Sequence, residues 1–587
     1  MILQALDAYF RRLAADEDSG IPLRGFSRQP VPFALELGPD GELKQVLDLR
    51  DHSGKKPVPR QLVVPEAAKR TVAVMPNFLW DNSGYVLGAD SKGKPERSAQ
   101  CFEAFRQKLR EVCSGVEDEG VDAVLAFLGS WSPERAAELP HWEEMSGLNL
   151  VFRLAGRREY VHERPKVREA WLKHYFAGTS EVLGQCLVTG LEGQPIARLH
   201  ADLKGVRGAQ SKGATLVGFN LDAFASYGKQ QSYNAPVSEE AAFNYTTALN
   251  HLLRRDGGRR VQIGDATVVF WTERATRSEG LFPAIFGQGD GQGEDQGDVA
   301  DLRAFLEAVR EGKMPNELKD EGGVRFYALG LSPNASRLSV RFWHSGTVEE
   351  LWRRIGQHFA DLRIVKRFEK EQDFPPQWLL LKAVALREEL DNISPLLSGA
   401  LMRSILTGAA YPGALLSAVM GRIRAEQEVT YPRAALIKAC IVRNARQREQ
   451  NPEVDFVSLD EQFKNVPYRL GRLFAVLEKL QQEAIPGINA TIKDRYFGSA
   501  SATPRATFPI LLRLAQHHVS KLKYGYVYDN SIQDILDGID PQKDFPAHLA
   551  LEDQGRFALG YYHQRKALWT SKKNAAPETA NITPTEE

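Results

Sequence analysis

Three groups of polar side chains in this sequence have types and spacings that could do chemistry, and the chemistry is holding a polyanion. The first spans Lys69 to Arg97, in KRTVAVMPNFLWDNSGYVLGADSKGKPER. Asn77, Trp80, Asp81, Asn82 and Tyr85 crowd into a turn, with Lys69 and Arg70 before it and Lys92, Lys94 and Arg97 after it. Amides flanked by lysines suit the reading of base edges while cations grip phosphate. Asn and Asp also make the hydrogen bonds of an ordinary turn, and spacing alone favours that use. The second group is a glycine-rich basic loop of Lys204, Gly205, Arg207, Gly208, Lys212 and Gly213. Glycines let a backbone approach phosphates closely, and Lys and Arg neutralise them. Such loops are also common in ordinary enzymes, and this one lacks the GxxxxGK[ST] string and the strand-to-helix setting of a phosphate-binding loop.

The third group is helical and basic. Arg443 and Arg446 fall in a cation-rich stretch between Ala400 and Gln450. In the helix predicted from Tyr468 to Gln482, Leu470, Phe474, Leu477 and Leu480 share one side, and Arg469, Arg472 and Lys479 fall together on another. Arg513, His517 and Lys521 stack at i, i+4 and i+8 in a further helix. Any one such stripe is ordinarily a solvated face, whereas three in one region suit a nucleic-acid groove.

Catalytic constellations are missing from this inventory. There is no HExxH, no GxSxG and no Walker string, and the adjacent His517 and His518 have no acidic neighbours in sequence. The acidic residues gather in helix starts and in one glycine-rich loop, which does not suit a metal nuclease. The four cysteines, Cys101, Cys113, Cys186 and Cys440, make no CxxC pair and support neither zinc nor a disulfide framework. No metal or other cofactor is expected. Lys+Arg 75 against Asp+Glu 75 leaves a formal net charge of zero, so polyanion binding must come from local patches. No apolar run reaches the roughly 20 residues of a membrane span. The N-terminus reads as an amphipathic helix (Leu6, Phe10, Leu13) without signal-peptide features, so a cytoplasmic protein is expected.

The elements that must position these groups change character along the chain. PFALELGPDGELKQVLDLRD reads as a hairpin turning at Gly38 to Gly41, followed by a strand in QLVVP. Helices are predicted from Ala99 to Val112 and on through Leu128, and a strand from Leu148 to Leu154. Further strands are expected around Cys186, from Thr215 to Phe219 and from Val261 to Trp271. A helix starts at Ser238, with Glu239 and Glu240 in its first turn. The run 287–298 is acidic, glycine-rich and flexible in composition. Strands flank the turn Ser332, Pro333, Asn334, with basic and aromatic residues that suit either an RNA-binding sheet surface or a plain amphipathic hairpin. Beyond Thr347 the periodicity is helical throughout. The expected fold is therefore α+β and multi-domain. A mixed, β-rich region over 1–346 precedes a helical region over 347–573, and 574–587 has the composition of a disordered tail.

Several long strings carry a family resemblance: RTVAVMPNFLWDNSGYVLG, GATLVGFNLDAFASYGK, YNAPVSEEAAFNYTTALNHLL, GLSPNASRLSVRFW, YRLGRLFAVLEKLQ, DRYFGSASATPRATFP and FALGYYHQRKALW. The sequence resembles the large subunit of the type I-C CRISPR surveillance complex, Cascade, over nearly its whole length. The resemblance implies a non-enzymatic subunit at the end of a filament of backbone subunits on CRISPR RNA, beside the handle-binding subunit. Such a subunit checks the protospacer-adjacent motif (PAM) on target duplex DNA, helps to open it, holds the displaced strand and docks a helicase-nuclease. It also implies a small subunit made separately from the C-terminal bundle, here about 457–573. On this footing Lys69, Arg70, Asn77, Asn82, Lys92 and Lys94 are the expected PAM-facing residues. Lys204, Arg207, Lys212, Arg443, Arg446, Arg469, Arg472, Lys479, Arg513 and Lys521 are the expected backbone contacts. A purely structural assembly subunit and a metal-dependent nuclease subunit are the alternative readings.

Overall fold

The structure, a computed structural model, describes residues 1–573 except 17–18, 55, 69, 71–72, 92–93, 179, 256, 287–295, 314–315, 390–391, 450–455 and 540–544. Most of the expected flexible loop 287–298 and the whole tail 574–587 lie outside the described residues. Gln296 to Asp298 open the helix Gln296–Arg310. The fold is α+β, as expected, with sheets and helices in the N-terminal part and packed helices at the C-terminal end. The chain forms two compact units: Met1–Leu203 with Thr215–His251, and Lys204–Ala214 with Leu252–Glu587. The division does not fall at 346/347, where the sequence turns helical, because the second sheet shares one core with the helices after it.

The longer strands of the first unit are β1 (Phe26–Val31), β2 (Phe33–Leu37), β3 (Leu43–Asp48), β4 (Arg60–Pro65), β5 (Trp80–Asn82) and β6 (Asn149–Leu154). The predicted hairpin is present as β2 and β3, and the four-stranded sheet runs β3-β2-β6-β5, with β2 and β6 parallel. β1 and β4 pair separately. Gly41 at φ +81° closes the hairpin turn, the left-handed backbone that glycine takes without a Cβ penalty. All five residues of β2 are buried, because Phe33, Leu35 and Leu37 enter one core and Ala34 enters another. The first core is completed by the helices Pro95–Val112 and Glu119–Ser130, through Phe102, Phe105, Leu109, Val124 and Phe127. Asp118 caps the second of these helices by accepting from Gly120 and Val121 N–H, and Arg164 grips the same carboxylate at 2.8 Å.

Two expected strands are absent. Cys186 lies in a turn just after β7 (Leu183–Gly184), which pairs only with the two-residue β8 (Gln194–Pro195). Thr215 to Phe219 is irregular and half-buried. Apolar residues make a strand only when a neighbour takes up their backbone hydrogen bonds, and the sequence could not show that none was available.

The second unit contains the antiparallel sheet β12-β11-β10-β9, from β9 (Arg260–Ile263), β10 (Ala266–Thr272), β11 (Arg325–Asn334) and β12 (Arg337–Thr347). The hairpin turns at Ala335 and Ser336, past the predicted Ser332–Asn334, which pair with Ser339, Leu338 and Arg337. Thr347 ends the sheet and caps the helix Val348–Leu362 through a reciprocal box with Glu350. The C-terminal end is a bundle around the helix Val466–Ala484, in which every residue from Pro467 to Leu480 is buried. It packs against the long helix Leu551–Lys573, where glycines bring the backbones together. A Cβ on Gly471 would sit 1.9 Å from the Phe557 carbonyl oxygen, and one on Gly560 would sit 2.0 Å from that of Tyr468.

Candidate nucleic-acid interface

The polar turn of the first unit is a self-contained network. Asp81, 1% exposed, is its hub: its carboxylate accepts from the N–H groups of Asn77 at 2.9 Å and Asn82 at 2.8 Å. Arg70 clasps the same carboxylate with both terminal nitrogens, one at 2.9 Å, and its guanidinium lies 4.1 Å from the Tyr85 ring centroid. Asn77 is buried, and its side-chain oxygen accepts from Ala68 N–H at 2.9 Å. Asn82 caps the short helix Ser83–Val86 by accepting from Gly84 N–H. Trp80 is buried and donates to the Pro65 carbonyl. The Arg70 guanidinium and the side-chain oxygens of Asn77 and Asn82, residues expected on DNA, are therefore engaged in shaping the turn. Lys94 is exposed just before the helix Pro95–Val112. Lys69 and Lys92 lie outside the described residues.

The glycine-rich loop keeps its cations on the outside. Gly205, Gly208 and Gly213 all have positive φ, at +98°, +79° and +106°. A Cβ at Gly205 would press on the Leu253 carbonyl oxygen at 2.8 Å, so glycine is required there for close approach. Val206 and Ala214 are buried, and the Arg207 N–H donates to Thr267 Oγ1 at 3.1 Å, which fastens the loop to β10. Lys204, Arg207 and Lys212 have exposed side chains.

The helical stripes divide sharply. Arg443 is fully buried: its Nε donates to Asp361 at 2.9 Å, its Nη1 to the Ser404 carbonyl at 3.0 Å, and its guanidinium lies over Tyr411. Arg446 takes the other Asp361 oxygen at 2.7 Å, and this hydrogen bond raises its pKa. Arg469 is 5% exposed and spends its donors on the carbonyls of Phe463, Ile535 and Glu461. Arg472, equally buried, donates to Gln564 at 2.9 Å and to the Glu461 carbonyl at 3.1 Å, and burial lowers its pKa. Lys479 pairs with Glu483 at 3.3 Å and lies over Trp569. The expected external stripe Arg469–Arg472–Lys479 is thus an internal one, and so is Arg443. Phosphate would have to displace several protein hydrogen bonds to reach them. Arg513 and Lys521 are exposed. Lys521 lies in the turn after the helix Pro504–Val519, not in its third turn. Lys523, Tyr524 and Tyr526, which the reading of stripes passed over, are exposed beside it.

One carboxylate and histidine cluster stands out among the described residues: ligand atoms of Asp48, His141 and Glu144 lie within 4.8 Å of one another. Arg50 already supplies the cation, donating to both Asp48 and Glu144, and this holds Asp48 below the usual carboxylate range.

Of the expected contact cations, Lys94, Lys204, Arg207, Lys212, Arg513 and Lys521 are exposed, whereas Arg443, Arg469, Arg472 and Lys479 are buried and tie the helices together. A family model described as CRISPR-associated protein (Cas_Csd1) matches residues 6–569. The chain belongs to that family, the large subunits of type I-C Cascade. No curated protein matches it. No helix among the described residues is long and apolar enough to cross a membrane.

Proposed function

We propose that this chain is the non-catalytic large subunit of an RNA-guided type I-C interference complex: it recognises the PAM on target duplex DNA, helps to open it and stabilises the displaced strand. The observation that carries this reading is the family match across residues 6–569. The division of labour is physically economical, since base pairing with the guide reads the target and the protein reads only a short flanking motif. Its partners are the backbone and handle-binding subunits on CRISPR RNA, the helicase-nuclease that it docks, and a small subunit made from its own 457–573. The segment 69–97 faces the PAM duplex, with the Asp81 network holding its shape and Lys94, alongside Lys69 and Lys92, on phosphates. Arg207 and Lys212 hold backbone beside the opening point, and Arg513 and Lys521 hold the displaced strand.

Opening is measured with 2-aminopurine placed in the first base pairs beside the motif. The reconstituted complex should raise its fluorescence on motif-bearing duplex only when this chain is present. Equal opening by the complex without the chain would refute the proposal.

A further inference from the structure

The helix Pro504–Val519 buries Phe508, Leu511, Ala515 and His518 and turns another face outward. Ile510, Arg513, Leu514 and His517 stand on that face at i, i+3, i+4 and i+7, all exposed. The turn after it adds exposed Lys521, Lys523 and Tyr524, and the helix Gly525–Asp537 opens with exposed Tyr526 and Val527. Tyr524 and Tyr526 are 60% and 61% exposed, with ring centroids 6.4 Å apart in an edge-to-face arrangement. The Lys523 ammonium lies 5.4 Å from the Tyr524 centroid. Among the described residues Arg513, Lys521 and Lys523 form no ion pair, in contrast to the buried stripe of the same bundle.

Two largely open aromatic rings among unpaired cations form a surface unlike an ordinary solvated helix face. Cations alone would attract any polyanion equally. Aromatic rings add energy only where a base offers a free π-face, and a duplex keeps those faces stacked inside. The nearest acid on the second helix, half-buried Asp529 three residues from Tyr526, accepts from Gln533 Nε2 at 3.1 Å. The exposed acids Asp534 and Asp537 lie about 12–16 Å along the helix from Tyr526 at 1.5 Å rise per residue, which limits the strip at that end. A strand would therefore run along Pro504–Val519 and reach the tyrosines at the turn.

We infer that Tyr524 and Tyr526 are base-stacking residues for unpaired DNA, which make this strip selective for single strand over duplex. The inference rests on the reading that the chain handles opened target DNA. Arg513, Lys521 and Lys523 take the phosphates on either side, and Ile510 and Leu514 contribute apolar contact to sugars.

The test is fluorescence anisotropy with the full-length chain, labelled (dT)20 and a 20-base-pair duplex. The Tyr524→Ala/Tyr526→Ala variant should bind (dT)20 about tenfold or more weakly, given the usual loss per stacked base, and bind duplex as before. Tyr524→Phe/Tyr526→Phe keeps the rings and should restore binding. The thermal midpoint should not move, since both side chains are mostly in solvent. Unchanged (dT)20 affinity in the alanine variant, or equal weakening on (dT)20 and duplex, overturns the inference. An altered sedimentation coefficient with unchanged DNA binding does so too, marking a contact between copies. If the unsubstituted chain binds neither probe, the underlying reading of the chain as a DNA-handling subunit falls with it.

Discussion

Arg469 and Arg513 look alike in the sequence, each an arginine at helical spacing from other cations. Arg469 is 5% exposed and bonded to three carbonyls, whereas Arg513 is in solvent. The difference decides what substitution does. Arg443→Ala should cost about 3–5 kcal/mol of stability, because it leaves the buried Asp361 with Arg446 alone. Urea denaturation reads that loss. Arg207→Ala/Lys212→Ala should leave the urea midpoint in place. It should lower the log–log salt slope of DNA binding by about 0.7–0.9 per lost phosphate contact; an unchanged slope would leave the loop as architecture. Histidine burial gives a pH prediction. Burial lowers the pKa of His162 to about 4 and of His563 to about 3. Both pKa values lie below the unfolded value near 6.5, so the unfolded chain binds more protons as pH falls through that window. Stability should therefore drop on acidification, by about 2 kcal/mol per buried histidine between pH 7 and 5. His162→Gln should reduce the fall of the urea midpoint between those values, leaving the share that His563 contributes. At this scale the sequence displayed side-chain type and angular position, but not what covers a side chain. Asn77 illustrates it: its amide suited base reading, yet its oxygen serves Ala68.

Among the elements, the helix Val466–Ala484 explains why a stripe misled. An amphipathic pattern implies one solvated side, but this helix is the centre of a bundle, with Pro467 to Leu480 buried on every side. Its cations are tolerated there because carbonyl groups, Gln564 and Glu483 satisfy them. The glycine crossing sets how close the long helix comes. Gly471→Ala would drive a methyl group into the Phe557 carbonyl. It should cost about 3 kcal/mol or more, since neither backbone can move freely. Gly421, with nothing within 4 Å of an added Cβ, is the control, and Gly421→Ala should be neutral or stabilising in the same thermal melt. The hairpin of β2 and β3 and the strands β11 and β12 were legible because alternation and turn residues are local signals. The single strand expected from Val261 to Trp271 is instead the antiparallel pair β9 and β10, reversed at Gly264 and Asp265. The sharing of one core by the second sheet and the later helices was not legible, since it depends on contacts between segments far apart in sequence.

For the whole molecule, zero formal net charge fits a subunit whose cations are partly spent inside. The long helix Leu551–Lys573 also packs on earlier helices: Gly555 sits against Ile437 and Leu416, and Glu552 binds Asn444 and Arg448. A separately made 457–573 would leave that face to be covered by another subunit of the complex. The family was legible from strings spread along the chain, while which of the candidate cations are exposed was not. On the proposed function, this chain gives the complex its motif dependence. The direct measurement is the equilibrium affinity of the reconstituted complex for matched targets with and without the flanking motif, with and without this chain. With the chain, affinity should be far higher on the motif-bearing target, and without it the two targets should bind alike. A motif preference that persists when the chain is left out would contradict the account.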